Sequence, residues 1–171
     1  MKKMQSNLNK NILVLRLLSN SKTLNSYKFY KKLDKSIKST IGHKLFTLTV
    51  VDKSKKFVER VYSSNEKIYP LLGTKPIPKN EWTKRVIIKK KEFLGSNFNQ
   101  IKKLFFDYEV IQSIGCGSII NLPILHNNKI LGTLNVLHKE NYYTKDSVKS
   151  IIPFSQLLSS YFLIHQIEMK K

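Results

Sequence analysis

Along residues 24–41 the apolar positions Leu24, Tyr27, Tyr30, Leu33 and Ile37 recur at steps of three and four, with Phe29 on the same flank. That period places them on one side of an α-helix, and Gly42 follows where a glycine can take the left-handed conformation that closes one. The pattern then changes to β-branched and aromatic residues in LFTLTVV (45–51) and FVERVY (57–62), with the turn-like Asp52-Lys53-Ser54-Lys55 between them. This predicts a hairpin. Pro70, Gly73, Pro76 and Pro78 make residues 63–80 irregular. A short helix is expected at 81–89, a short strand at 92–95 and helical pieces through 99–114. The clearest strands are 118–125 and 130–138, joined by Asn127-Asn128, because asparagine tolerates the positive φ that a two-residue turn requires. A last helix is expected from Thr144, an N-cap with Asp146 in the first turn, to Glu168, with a kink or a late start at Pro153. Residues 1–11 are polar and basic, and 12–18 form a short apolar run able to dock as a helix. The chain thus divides into an N-terminal extension, 1–20, and one domain, 21–171.

Side chains in a strand alternate between faces, so parity sorts them. In LFTLTVV, Thr47 and Thr49 point one way and Phe46, Leu48 and Val50 the other. Thr133 and Asn135 likewise oppose Leu134, Val136 and His138, and Asn121 opposes Ile120, Leu122 and Ile124. Each strand has one apolar face, which the helix at 24–41 and the C-terminal helix with Leu157, Leu158, Phe162 and Leu163 can cover. The other face carries short, uncharged hydrogen-bonders, where a solvated face in so lysine-rich a chain would show lysines. The long stretch from Ser63 to Cys116 must lie somewhere, and over this face it would close a small-molecule pocket. Polar packing without a pocket is the alternative.

Composition alters this picture little. A single domain fits 171 residues, and a net charge of +20 would ordinarily suggest a polyanionic partner. The lysines are scattered, however, and are interrupted by Asp34, Asp52, Glu81, Asp107 and Glu140; arginine occurs only at 16, 60 and 85, and alanine is absent. The densest cluster, Lys89-Lys90-Lys91, lacks the interleaved aromatics that stack bases. Nothing beyond non-specific attraction to nucleic acid is expected. One cysteine excludes an intrachain disulfide and any zinc site built on paired thiolates, which points to a reducing, cytoplasmic compartment. The run Ile12-Leu13-Val14-Leu15 is too short and too charged in its continuation to span a membrane, and it carries no export signal.

The stretch LPILHNNKILGTLNVLH is a strand ending in apolar-Pro-apolar, a polar turn, then apolar-Gly and an alternating strand; after Asn141-Tyr142-Tyr143-Thr144 comes the long amphipathic helix. In this the chain resembles the GAF domains, cytoplasmic sensory modules, over roughly residues 24–162. The segments RVYSSNEKIYP, GTKPIP, EWTKRV and GCGSIINLP also resemble small bacterial proteins that are little more than one such domain. The resemblance implies an α+β fold: a central antiparallel sheet of about six strands, terminal helices on one face, and a pocket under loops and short helices on the other. It also implies ligands such as cyclic nucleotides, tetrapyrroles, oxoacids, amino acids or haem, and homodimers formed through the terminal helices. The cofactor stays unknown.

Candidate chemistry then falls on few residues. Some GAF-fold proteins reduce free methionine sulfoxide with pocket cysteines, which makes Cys116 the enzymatic lead. That chemistry needs a second thiol to resolve the sulfenic acid, and here there is none. Such enzymes also carry carboxylates on the pocket strands, which are missing here, with Asn121 and Asn135 near the matching places. A bilin attachment site would follow its cysteine with histidine, whereas Gly117 follows Cys116. The four histidines have no ligand spacing, and no Gly-x-Ser-x-Gly elbow or dinucleotide fingerprint occurs. Arg60 and Tyr62 share a face by parity, and an arginine inside a strand suits a carboxylate or phosphate. Trp82 either caps the chamber or anchors the core. The expected reading is a non-catalytic, ligand-binding sensory domain lined by Thr47, Thr49, Arg60, Tyr62, Trp82, Asn121, Thr133 and Asn135, with Cys116 at its rim. A Cys116 thiol enzyme of the methionine sulfoxide reductase type and a basic nucleic-acid-associated accessory are the alternatives.

Overall fold

The computed structural model describes Asn9, Ile12 and residues 26–169 of the chain. Its first full element, α1 (Ser26–Ile41), buries Phe29, Tyr30, Leu33 and Ile37. This is the predicted stripe, except that Leu24 lies outside the described residues. Gly42 takes φ +68° and its N–H bonds the Lys38 carbonyl at 3.0 Å, closing the helix. The expected N-terminal helix at 12–18 falls outside the described residues apart from Ile12, which packs partly buried against the main core.

Six strands follow: β1 (Leu45–Val51), β2 (Phe57–Ser63), β3 (Thr74–Pro76), β4 (Phe93–Gly95), β5 (Ser118–His126) and β6 (Lys129–His138). They form one antiparallel sheet in the order β3-β2-β1-β6-β5-β4. The β1–β2 turn is closed by Asp52, whose carboxylate accepts from the backbone N–H groups of Ser54, Lys56 and Phe57. Asn127 and Asn128 take φ of +46° and +57°, the conformation a tight β5–β6 turn demands.

Beyond β6, Thr144 opens α4 (Lys145–Ser155) with a reciprocal capping box to Ser147. The helix starts on time despite Pro153; the irregularity comes after it, as a 3-10 turn at Gln156–Leu158 that leads into α5 (Ser159–Glu168). α1 and these C-terminal helices cover the apolar face of the sheet. Phe29, Leu33, Ile37, Ile151, Phe154, Leu158 and Phe162 meet Phe46, Leu48, Val50, Ile120, Leu122, Leu134 and Val136 in the largest core cluster. Each such fully buried side chain contributes about 1.5–3 kcal/mol of transfer free energy, so this face carries most of the stability.

The opposite face is covered by the middle third of the chain. Here a π-helical segment (Thr83–Ile88), α2 (Phe98–Leu104) and α3 (Tyr108–Ser113) lie over the sheet. Two smaller clusters fasten them: Trp82, Val86 and Ile87 with Val51 and Ile130, and Tyr69, Ile101, Ile111 and Cys116 with Leu45, Ile119 and Leu137. The result is the expected α+β layering. β3 was not expected, because residues 63–80 read as irregular; it exists through pairing, Phe57 with Pro76 and Glu59 with Thr74. The helix expected at 81–89 is mostly π-helical, ending with the Lys89 N–H on the Lys84 carbonyl.

Candidate functional site

Between the sheet and this cover lies a cavity of about 110 Å³. Its sheet wall is the polar face that parity identified. β1 contributes Thr47 and Thr49, β6 Thr133 and Asn135, and β5 Asn121, all of them lining the space. The register brings these residues together: Thr49 stands opposite Thr133, Thr47 opposite Asn135, and Asn135 opposite Asn121. Around them the walls are apolar, with Leu45, Val58, Ile77, Phe105, Ile119 and Leu137. Phe106 is 66 % exposed and also lines the cavity, so it stands where the chamber meets solvent.

The polar wall is bonded to itself. Trp82 Nε1 donates to Asn121 Oδ1 at 2.9 Å, Asn121 Nδ2 donates to Asn135 Oδ1 at 2.7 Å, and Asn135 Nδ2 reaches Thr47 Oγ1 at 3.3 Å and the Thr47 carbonyl at 3.4 Å. The Thr49 and Thr133 hydroxyls share a bond of 2.7 Å. Trp82 lines the chamber and, through its bond to Asn121 and its burial with Val86 and Ile87, ties the cover to β5. Such a chain costs little to bury because its donors have acceptors.

Arg60 differs. It is 95 % buried (5 % exposed), its Nη1 donates to the Pro70 carbonyl at 2.9 Å, and its guanidinium lies 4.8 Å from the Tyr69 ring centroid. Its Nε has no acceptor among the described residues. Burial lowers its pKa, and the nearby Tyr69 and Asp107 oppose that, but a guanidinium stays charged in any case. Asp107, the acid lining the chamber, is engaged elsewhere: it accepts from Tyr69 Oη at 3.0 Å and pairs with Lys75 Nζ at 2.5 Å. Burial, followed by the Asp107 charge, raises the Tyr69 pKa and keeps the phenol a donor. Sequence reasoning missed Tyr69, Lys75 and Asp107. Tyr69 and Lys75 lie in the stretch 63–80 that reads as irregular, and Asp107 lies between two short helices, where no period marks a face.

Two expected site residues lie elsewhere. Tyr62 does not share a face with Arg60. β2 is bulged, so that Thr49 pairs with Arg60 but Leu48 pairs with Tyr62, leaving Val61 as the extra residue. Tyr62 thus turns to the helix side, where its hydroxyl donates to Asp34 Oδ2 at 2.7 Å and its ring meets Phe46, Tyr27 and Tyr30. Cys116 is not at the rim. It is 4 % exposed and packs among Leu45, Ile101, Ile111 and Ile119. Burial pushes its thiol up to about 11, with Lys44 opposing. Since only the thiolate reacts, iodoacetamide at pH 8 should modify Cys116 about 100-fold more slowly in the folded protein than in urea. A folded-state rate near that of the unfolded chain would restore the enzymatic lead.

Among the described residues, no group of three or more His, Cys, Asp or Glu stands close enough to hold a metal ion. No helix among them is long and apolar enough to cross a membrane.

No family model matches the sequence, and no curated protein matches it. The fold, in contrast, matches solved structures over nearly its whole length. The GAF domain of an Acinetobacter phosphoenolpyruvate-protein phosphotransferase superposes with a TM-score of 0.73 at 9 % identity, covering 99 % of this chain and 98 % of that one. The corresponding domain from Coxiella burnetii gives 0.73 at 12 % identity, over 97 % and 98 %. A far-red absorbing dark state with bound biliverdin gives 0.68 at 13 % identity, over 94 % and 98 %. The chain has the GAF fold.

Proposed function

We propose, with the GAF fold as the premise, that this chain is a non-catalytic, cytoplasmic small-molecule sensor formed by residues 21–171, with 1–20 as an extension. The observation that carries the reading is the chamber itself: a cavity between a polar sheet wall and a separately packed cover, in the position expected of a ligand site. The non-catalytic part is supported by the burial and raised pKa of Cys116, which removes the one thiol from the chamber. Ligand binding would be transmitted through a homodimer or a protein partner. Ile164 and Ile167, 56 % and 53 % exposed on α5, are apolar surface that such a contact would use.

The test is a thermal-shift screen against chemically diverse small molecules, with fluorescence of Trp82, the chain's single tryptophan, as an independent readout. A saturable rise in midpoint accompanied by a change in emission is expected, since a ligand that binds only the folded state stabilises it by mass action. No compound moving either signal would abandon the sensor reading in favour of a protein-interaction module.

A further inference from the structure

Taking the sensor reading as its basis, we infer that the chamber takes a small monocarboxylate with an apolar body, lacking an ammonium group, whose carboxylate is held by Arg60. Three features of the chamber lead there.

The first is the pattern of satisfied and unsatisfied groups. The asparagine and threonine wall has already spent its main hydrogen bonds internally. Arg60 has not, for Nη1 holds a backbone carbonyl while Nε is buried without an acceptor among the described residues. A desolvated guanidinium with an idle N–H is costly, and a carboxylate that takes the Nε edge would supply both the missing acceptor and the missing charge. The second is charge. Arg60, Lys75 and Asp107 line the chamber, and Lys75 is paired with Asp107, so one positive charge is left over. One negative charge on the ligand closes the balance. With the Asp107 charge already balanced by Lys75, no uncompensated negative charge lining the chamber is left for an ammonium group.

The third is size and lining. A cavity of about 110 Å³ is smaller than the roughly 150 Å³ apolar cavity that holds benzene, so it encloses at most about six non-hydrogen atoms, and a slightly larger ligand extends toward the solvent side at Phe106. Tetrapyrroles and nucleotides do not fit within it. Leu45, Val58, Ile77, Phe105 and Leu137 give the remaining atoms apolar neighbours, which a bare inorganic anion would not use. The Tyr69 ring beneath Arg60 and Pro70 beside it hold the guanidinium in place, so little conformational entropy is lost on binding.

The experiment titrates the full chain with 3-methylbutanoate, its neutral isostere 3-methylbutanamide, valine, and nitrate, reading Trp82 emission and thermal midpoint. The carboxylate is expected to bind at least about 30-fold tighter than the amide, valine and nitrate. Arg60→Gln should abolish that preference, and Arg60→Lys, which keeps the charge but loses the fork, should weaken carboxylate binding about 10-fold. Amide binding equal to that of the carboxylate would overturn the Arg60 assignment while leaving the sensor reading standing. Equal binding of valine or nitrate would overturn the ligand class. Binding of none of the four, while other molecules from the broad screen do bind, would also overturn the class; silence from every molecule would remove the sensor reading with it. Should Arg60→Gln fail to fold, Arg60→Lys and the carboxylate–amide comparison on the unaltered chain decide the matter.

Discussion

Replacing Gly132 by alanine is expected to lower the thermal midpoint by roughly 10 °C, or to prevent folding, although only one methyl group is added. Gly132 stands in the middle of β6 opposite Val50 of β1, the pair at the centre of the sheet. A Cβ there would lie 2.1 Å from the Thr49 carbonyl oxygen and 2.5 and 2.7 Å from two ring carbons of Phe162. Neither neighbour has room to retreat. The carbonyl is backbone in the central ladder, and Phe162 is fully buried under the helices. The strands must part or α5 must lift, at a cost of more than about 3 kcal/mol. Thermal unfolding followed by circular dichroism would measure it, and a midpoint within about 2 °C of the parent would show that the sheet and α5 are far more compliant than this packing implies.

A comparable loss, about 3 kcal/mol, is expected for Asp34→Ala on the outer side of the same layer. Asp34 in α1 accepts from two buried donors on the sheet side: Tyr62 Oη at 2.7 Å and His43 Nε2, 2.7 Å from Oδ1. A carboxylate can only accept, so Nε2 carries the hydrogen. His43 and Tyr62 are 6 % and 4 % exposed, and alanine would leave Tyr62 without an acceptor and His43 Nε2 with only the Asp34 carbonyl at 3.5 Å. Tyr62→Phe removes a donor together with its need for a partner and should cost only about 1 kcal/mol. The double variant should then be more stable than the two separate losses predict, because Asp34→Ala no longer strands a phenol. Urea unfolding of the four proteins completes the cycle. Strict additivity would mean that Asp34 and Tyr62 are not coupled.

These cases also show where the sequence was informative. α1, β1, β5 and β6 are long enough for their periods to be counted, and their faces were assigned correctly from parity. Parity failed where one residue is inserted into a strand. In β2 the bulge at Val61 reverses everything after it, which is why Tyr62 faces the helices although it is two residues from Arg60. The β5–β6 hairpin also holds an inserted residue, ahead of the positions whose faces were assigned, and there it changes register instead: an unbroken ladder from the turn would set Asn121 opposite Leu134, but Leu131 is extra, and Asn121 meets Asn135. That the two amides bond each other, and so close the polar wall on itself, depends on this shift. β3 and the π-helical segment were illegible for a different reason. Three residues hold no period, and β3 is a strand only because β2 offers it partners. The cluster of Arg60, Tyr69, Lys75 and Asp107 likewise arises from tertiary placement.

Both borders of the sheet are three-residue strands, β3 and β4, and Pro76 at the end of β3 has no N–H to offer. The longer strands, with their many hydrogen-bonding groups, are all interior. Beyond β4 the outer side of β5 has no strand partner from Leu122 to His126, but Pro123 lacks an N–H there and the Ser159 hydroxyl occupies the Leu125 carbonyl, so an incoming chain finds only short, interrupted templates for extending the sheet. That geometry favours contacts made side chain to side chain over strand addition.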